Sequence, residues 1–257
     1  MKASHKALTI ELMPMLRLPL LLLTVFITCL ASPAQESSSQ GTPAGQTMER
    51  PRPSPTPEAR KRRSIPEVED AMAKGQELLF KKHDAKASLE EFKRAVKLDP
   101  WYGQAYMLLG LAQMQLRQWS DAQWAFEEAA KVEPGNAKAY LGAGSALNEQ
   151  KDYAGAQKVL ERSLELRQDS AEAHYEVARS LWGAGKWQTA EPHVRKAIEL
   201  NKDYAGPHAL MGNIYLQEEN PESALKEFQE CVRLDPEGSM APAVNDMIAQ
   251  LKKALGQ

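Results

Sequence analysis

The feature that most constrains this chain is a period of 34 residues in its carboxy-terminal two thirds. Pro100, Pro134 and Pro236 are separated by 34 and then 102 residues, one period and three. A fixed interval of this length marks one supersecondary unit copied and stacked, because a single copy cannot bury its own apolar face. Alignment on it divides residues 67–238 into five units: 69–102, 103–136, 137–170, 171–204 and 205–238. Small residues then fall into columns. Position 8 holds Gly110, Gly144, Ala178 and Gly212; position 20 holds Ser88, Ala122, Ala156, Ala190 and Ala224; position 27 holds Ala95, Ala129, Ser163, Ala197 and Cys231. Position 24 is larger and apolar: Phe92, Phe126, Leu160, Val194 and Phe228.

Within each unit apolar residues recur three and four apart, which predicts two short amphipathic helices. In the second unit one stripe is Tyr106, Leu109 and Leu116, the other Ala122, Ala125, Phe126 and Ala129. A glycine inside a helix costs about 1 kcal/mol relative to alanine, so a glycine column needs a steric reason. Close approach of two helix backbones is the simplest. Turns between first and second helices are expected at His83-Asp84, Lys151-Asp152, Gly185-Lys186 and Asn220-Pro221, the last joining a cap residue to a first-turn proline. The first unit departs from register, with Gly75 one place early and Gln76 at position 8, and Pro192 lies several residues into a second helix, whose start it should loosen.

These residues resemble the tetratricopeptide repeat, whose signature over 34 residues is W-x2-L-G-x2-Y, then A-x3-F, then A, then P. Leu109-Gly110, Ala122-x3-Phe126, Ala129 and Pro134 match in one unit; Gly212-x2-Tyr215, Ala224-x3-Phe228 and Pro236 match in another. The third and fourth units lack the terminal proline, carrying Gln168 and Lys202 there. The resemblance implies an all-α, right-handed solenoid of about five helix-turn-helix repeats. Residues 239–257 add a capping helix, expected over Ala241–Leu255, that covers the last open face.

The resemblance also implies that a concave face lined by first helices binds an extended peptide or amphipathic helix of a protein partner. Its expected positions are 2, 5, 9 and 12 of each unit. The candidate residues are Met107, Leu111, Met114, Lys138, Leu141, Asn148, Tyr175, Arg179, Trp182, Asn213 and Leu216. Seven are large and apolar, and a solvated face has no packing reason to carry them; contiguous exposed apolar surface marks a binding site, and Met suits an adaptable one. The opposing reading places some of these rows in the core. Position 9 reads Glu77, Leu111, Ser145, Arg179, Asn213, which does not reproduce the Lys and Asn of the family's best-known carboxylate clamp. A partner presenting apolar side chains is therefore expected, with Arg179 and Lys138 available to a carboxylate.

The amino-terminal quarter differs in kind. Lys2, Lys6 and Arg17 precede an uncharged apolar run of 13 residues, Leu18 to Leu30. That is short of the ~20 residues a spanning helix needs, and the order fits an export signal over residues 1–34. A retained anchor over residues 16–30 and lipidation at Cys29 are the alternatives, although Thr28 and Phe26 stand where bacterial lipidation favours a small residue and Leu. Residues 35–66 are rich in Ser, Pro and Gln, have few large apolar residues and read as a disordered tether. Arg60-Lys61-Arg62-Arg63 gives the tether a basic cluster that suits a solvated linker, an anionic lipid surface or a processing site. With the signal removed one cysteine remains, so no internal disulfide can form.

Composition excludes several functions. Lys and Arg total 32 against 34 Asp and Glu, with no whole-chain basic excess to hold nucleic acid. From Glu67 to Gln257 there are 23 basic and 30 acidic residues, net −7. No phosphate loop, zinc-protease helix or serine nucleophile elbow occurs, and Gly142-Ala143-Gly144-Ser145 lies inside a predicted helix rather than after a strand. His174 and His208 share position 4 one unit apart, too far apart to ligate one zinc, and His193 stands isolated. Cys231 fills a small core position, as a buried thiol. No cofactor, metal or catalytic set is expected. The chain reads as a non-catalytic adaptor or scaffold; the rivals are a membrane-tethered envelope assembly factor or lipoprotein, an accessory domain protein of an enzyme complex, and a homo-oligomer formed through the same face.

Overall fold

A computed structural model describes residues 66–256. The expected signal, the basic cluster and the tether up to residue 65 lie outside the described residues, as does Cys29, whereas Pro66, expected as the last tether residue, opens the first helix. The described residues form helices α1 (Pro66–Gln76), α2 (Ala85–Leu98), α3 (Gly103–Gln115), α4 (Trp119–Val132), α5 (Ala137–Glu149), α6 (Tyr153–Leu166), α7 (Ala171–Gly183), α8 (Trp187–Leu200), α9 (Ala205–Gln217), α10 (Pro221–Leu234) and α11 (Ala241–Ala254). Each odd-numbered helix pairs with the next to make one unit, and α11 covers α10 at the end of the array. First helices of successive units, α3 to α5, α5 to α7 and α7 to α9, also touch. This makes them the inner row of an all-α solenoid.

The turn inside each unit is built the same way. His83, Arg117, Lys151, Gly185 and Glu219 all have positive φ and stand 34 residues apart. In the last four units the two amides at the turn reach back into the first helix: Arg117 and Gln118 N–H donate to the carbonyls of Met114 and Gln113, and the pattern recurs at Lys151, Gly185 and Glu219. This motif satisfies carbonyls that the helix end would leave open, which offsets the ~1–2 kcal/mol of left-handed backbone at each of the three non-glycine residues, Arg117, Lys151 and Glu219. Asp84, Asp152 and Asn220 then cap α2, α6 and α10 through Ala87, Gly155 and Ser223 N–H.

Glycine at position 8 makes room for a side chain rather than for a backbone. A Cβ on Gly110 would lie 2.8 Å from the Phe126 ring, and one on Gly212 would lie 2.7 Å from the Phe228 ring. Gly144 faces Leu160 in the same way. The fourth unit shows the volume exchange: there position 8 gains a methyl, as Ala178, and position 24 shrinks to Val194. All five position-24 side chains are fully buried, each adding about 1.5–3 kcal/mol of apolar burial. Interiors packed this closely punish even one added methylene.

The register slip in the first unit has a structural answer. The first helix of that unit ends in a π-helical turn, Glu77–Lys81, which inserts one residue, and Asp84 N–H accordingly reaches six residues back to Leu78. Gly75 thereby stands where Gly110 stands in the next unit, with the Phe92 ring 2.5 Å from its would-be Cβ. Pro192 does not break α8. The helix runs through it without interruption, and because both Pro192 and Gln188 are exposed, solvent reaches the carbonyl left without its donor.

Candidate functional site

The first helices present two unlike regions. From the second unit across the third to the start of the fourth runs a cavity of about 490 Å³. Its walls include Met107, Leu111 and Met114 from α3 with Lys138 and Leu141 from α5. Five of the eleven residues expected on this face therefore converge. Leu111 is 40% exposed, whereas Met107 is 9% exposed and is shared between the core and the cavity wall. Met114 and Leu141 are half-buried, and Lys138 is exposed.

The buried Phe126 ring lies at the bottom of the cavity, beneath Gly142 at position 6 of the third unit, which adds no side chain above it. Two glycines pack against the ring: a Cβ on Gly142 would lie 2.7 Å from it and one on Gly110 2.8 Å. The second and fifth units carry Leu108 and Leu210 at position 6, and the fourth carries Glu176. The Gly142-to-Ser145 stretch is thus helical and shapes a packing surface. Position 6 lies outside the 2, 5, 9, 12 pattern, so that pattern misses Gly142; its signal is the break in an otherwise bulky column.

At the cavity's far edge, where Ser145 and Glu176 line it, and onward along the row, the face is polar and closed by its own side chains. Arg179 donates to Glu149 at 2.7 Å and to both oxygens of Glu176 at 3.0 Å. Asn148 is 5% exposed and donates through Nδ2 to a Glu176 carboxylate oxygen at 2.8 Å and the Glu176 carbonyl at 2.9 Å. Ser145 donates to the same carboxylate at 3.3 Å. Burial alone would lower the pKa of Arg179, but the Glu176 charge beside it drives it up. The guanidinium also lies 5.9 Å from the centre of the Tyr175 ring. Tyr175 covers Gly206 and meets Tyr204 edge-on at 5.0 Å, and burial pushes its phenol up to about 12. Trp182 packs half-buried against the core around Val194, and Asn213 and Leu216 are half-buried on α9. Asn148, Tyr175, Arg179, Trp182, Asn213 and Leu216 are therefore not brought into the cavity. Arg179, expected to be available to a carboxylate, already has two inside the molecule.

The histidines pair within units. His174 and His193 approach Nδ1 to Nδ1 at 3.1 Å, so His193 is not isolated, while one unit later His208 Nδ1 lies 2.7 Å from Glu227. Both pairs join positions 4 and 23. The Nε2 atoms of His174 and His208 face the carbonyls of Gln168 and Lys202, which fixes a proton on each Nε2. Burial lowers the pKa of His174 and of His193, whereas the Glu227 hydrogen bond raises that of His208. Cys231 is buried, and burial pushes its thiol up to about 11, which keeps it in the unreactive thiol form. Among the described residues no three His, Cys, Asp or Glu side chains gather as a metal site, and no helix is long and apolar enough to cross a membrane.

Comparison with known families places this architecture. A tetratricopeptide-repeat model matches residues 107–171 and 149–205, and a second tetratricopeptide-repeat model matches residues 205–237. The chain belongs to the tetratricopeptide-repeat family. Solved structures share the fold. A thermophilic repeat protein of Thermus thermophilus, TTC0263, is 18% identical, with 74% of this chain and 100% of that one covered and a TM-score of 0.59. YrrB, described as a repeat protein with an unusual peptide-binding site, is 22% identical, with 74% and 95% covered and a TM-score of 0.52. PilW, a type IV pilus biogenesis factor, is 14% identical, with 74% and 86% covered and a TM-score of 0.63. The sequence matches no curated protein. At these identities the structural likeness speaks to the fold, and the family defines a protein-interaction scaffold.

Proposed function

We propose that this protein is a non-catalytic adaptor that holds an extended peptide or helix of a partner against its first-helix row, anchored in the cavity over Phe126. The observation that carries the reading is the convergence of Met107, Leu111, Met114 and Leu141 around that cavity, an apolar recess on a chain that is otherwise acidic. Its volume falls within the ~300–1,000 Å³ of cavities that enclose ligand groups. YrrB supports the reading to the extent that its description names a peptide-binding site. The reading further holds that the protein is exported, through the apolar run at residues 18–30, and works outside the cytoplasm as a secreted or tethered scaffold.

A photo-crosslinking amino acid placed at Leu111 in the full chain tests the face. Adducts should form from Leu111 and not from the same group at Lys158, which is exposed on α6. Equal yields from both positions would refute a dedicated face. Mass measurement of the mature amino terminus tests export: a cleaved chain begins near Ala34, and an intact Met1 excludes cleavage.

A further inference from the structure

We infer that the cavity over Phe126 selects a bulky aromatic side chain with an acidic residue beside it in the partner segment. The inference rests on the reading of this face as a peptide-binding surface and names the chemistry it recognises.

The aromatic preference follows from the walls. Two thioethers line the wall, Met114 half-buried and Met107 9% exposed, over the buried Phe126 ring. Sulfur and ring surfaces favour contact with another ring at about 5 Å, and aromatic pairs gain beyond their buried area. Gly142 supplies no side chain at position 6, so what fills the recess takes the place of the side chain that Leu108 or Leu210 supplies at the equivalent position.

The acidic preference follows from charge that the molecule leaves unused. Lys138 and Arg167 both border the cavity, and neither side chain has a partner among the described residues. They approach from separate elements, Lys138 in the first turn of α5 and Arg167 just after α6. The two acids at the same cavity are already engaged. Glu172 accepts from Ser170 Oγ at 3.0 Å, and Glu176 is held by Asn148, Ser145 and Arg179. Glu176 is paired with Arg179 while Lys138 and Arg167 have no carboxylate partner among the described residues, which leaves room for an incoming carboxylate. The net −7 of residues 67–257 opposes an acidic partner at long range, but screening over ~8–10 Å leaves the adjacent cations to decide the contact. An internal Asp or Glu side chain is the occupant proposed.

Selection from a random dodecapeptide phage library on the immobilised full chain tests this. Each peptide is fused to the coat protein at its carboxy terminus, so no free terminal carboxylate takes part. Enriched peptides should carry Trp, Phe or Tyr with Asp or Glu within two residues. Against the Lys138→Glu, Arg167→Glu double variant the flanking preference should turn to Lys or Arg. Both positions are exposed, and an unchanged melting curve checks that the variant folds. Single Lys138→Ala and Arg167→Ala changes should each weaken a selected acidic peptide about two- to fivefold, the scale of an exposed ion pair, with added salt erasing the difference. Aromatic peptides without acidic bias, or a bias that survives charge reversal, would overturn the inference and leave the peptide-binding reading standing. No enrichment over the bare support would overturn both.

Discussion

The two regions of the first-helix row share one backbone plan and have opposite character. Around Phe126 the face is apolar and open. Around Glu176 it is polar and occupied by its own residues, with Arg179 spanning Glu149 and Glu176 and Asn148 buried beneath. Position 6 decides much of the difference: Gly142 leaves a recess without a side chain to fill it, and Glu176, at the equivalent place, gathers a network. In a stacked array each unit touches only its neighbours, so one residue can retune one junction while the others keep their packing. The column that carries stability, Gly against Phe or Leu and Ala against Val, stays complementary in every unit.

The strongest way to break the comparison is to press on Phe126 from each of its two glycines. Gly110→Leu, in the closed interior, should cost about 3 kcal/mol or more, since its Cβ meets the ring and no space lies beyond it. Gly142→Leu meets the same ring but can extend into the cavity, so its cost should be smaller and it should abolish peptide binding. Urea unfolding of both variants checks the order; equal losses would mean that the cavity gives the new side chain no relief.

A smaller effect is expected in the polar region. Arg179→Ala leaves two partly buried carboxylates without their shared cation. A fully buried pair broken in this way costs ~3–5 kcal/mol, and at 28%, 11% and 28% exposure for Arg179, Glu176 and Glu149 the loss should be about 1–2 kcal/mol. Adding Glu176→Gln should recover part of it. Leu111→Asp, at an exposed site in the open region, should change stability by under ~0.5 kcal/mol while removing peptide capture. A large stability loss there would assign Leu111 to the core.

The stability column is readable in the sequence because it repeats: small at positions 8, 20 and 27, large at 24. Even the slip at Gly75 is visible there, although the π-turn that absorbs it is not, since nothing local distinguishes an inserted residue from a shifted boundary. The binding face is legible only in part. Position 9 identifies Arg179 as a cation on the inner row, but Glu149 lies thirty residues away, and which side chain consumes its charge depends on how two units meet. Met107 and Asn148 show the same limit. Helical spacing places both on the inner row, yet the stacking of the next unit buries them. In the sequence Gly142 reads as one more packing glycine, and it does pack on Phe126; its second role, leaving a recess unfilled, depends on what surrounds it in three dimensions.

The finest test concerns two histidines that occupy one place. His174 and His208 sit at position 4 with the same carbonyl contact, and two neighbours differ: position 23 is His193 in one unit and Glu227 in the next, and position 26 is Lys196 and then Glu230. Their linkage to pH has opposite sign. For His208, whose pKa is raised, stability is fully present below the ordinary value of 6.5 and is lost as pH climbs through the folded value. For His174 and His193, whose pKa values are lowered, the folded state resists protonation, so a penalty appears as pH falls through 6.5. Acidification from neutrality should therefore tighten the fifth unit and loosen the fourth. His193→Glu should convert the fourth unit to the pattern of the fifth. The His174 titration, followed by NMR of its ring protons, should move from below its ordinary value to above it, while Lys196, which also lowers the His174 value, limits the change. Stability near pH 5.5 should rise by up to about 1 kcal/mol relative to the parent, the range of a partly exposed ion pair. A His174 midpoint that stays depressed beside Glu would show that burial and Lys196, not the neighbour at position 23, set the sign.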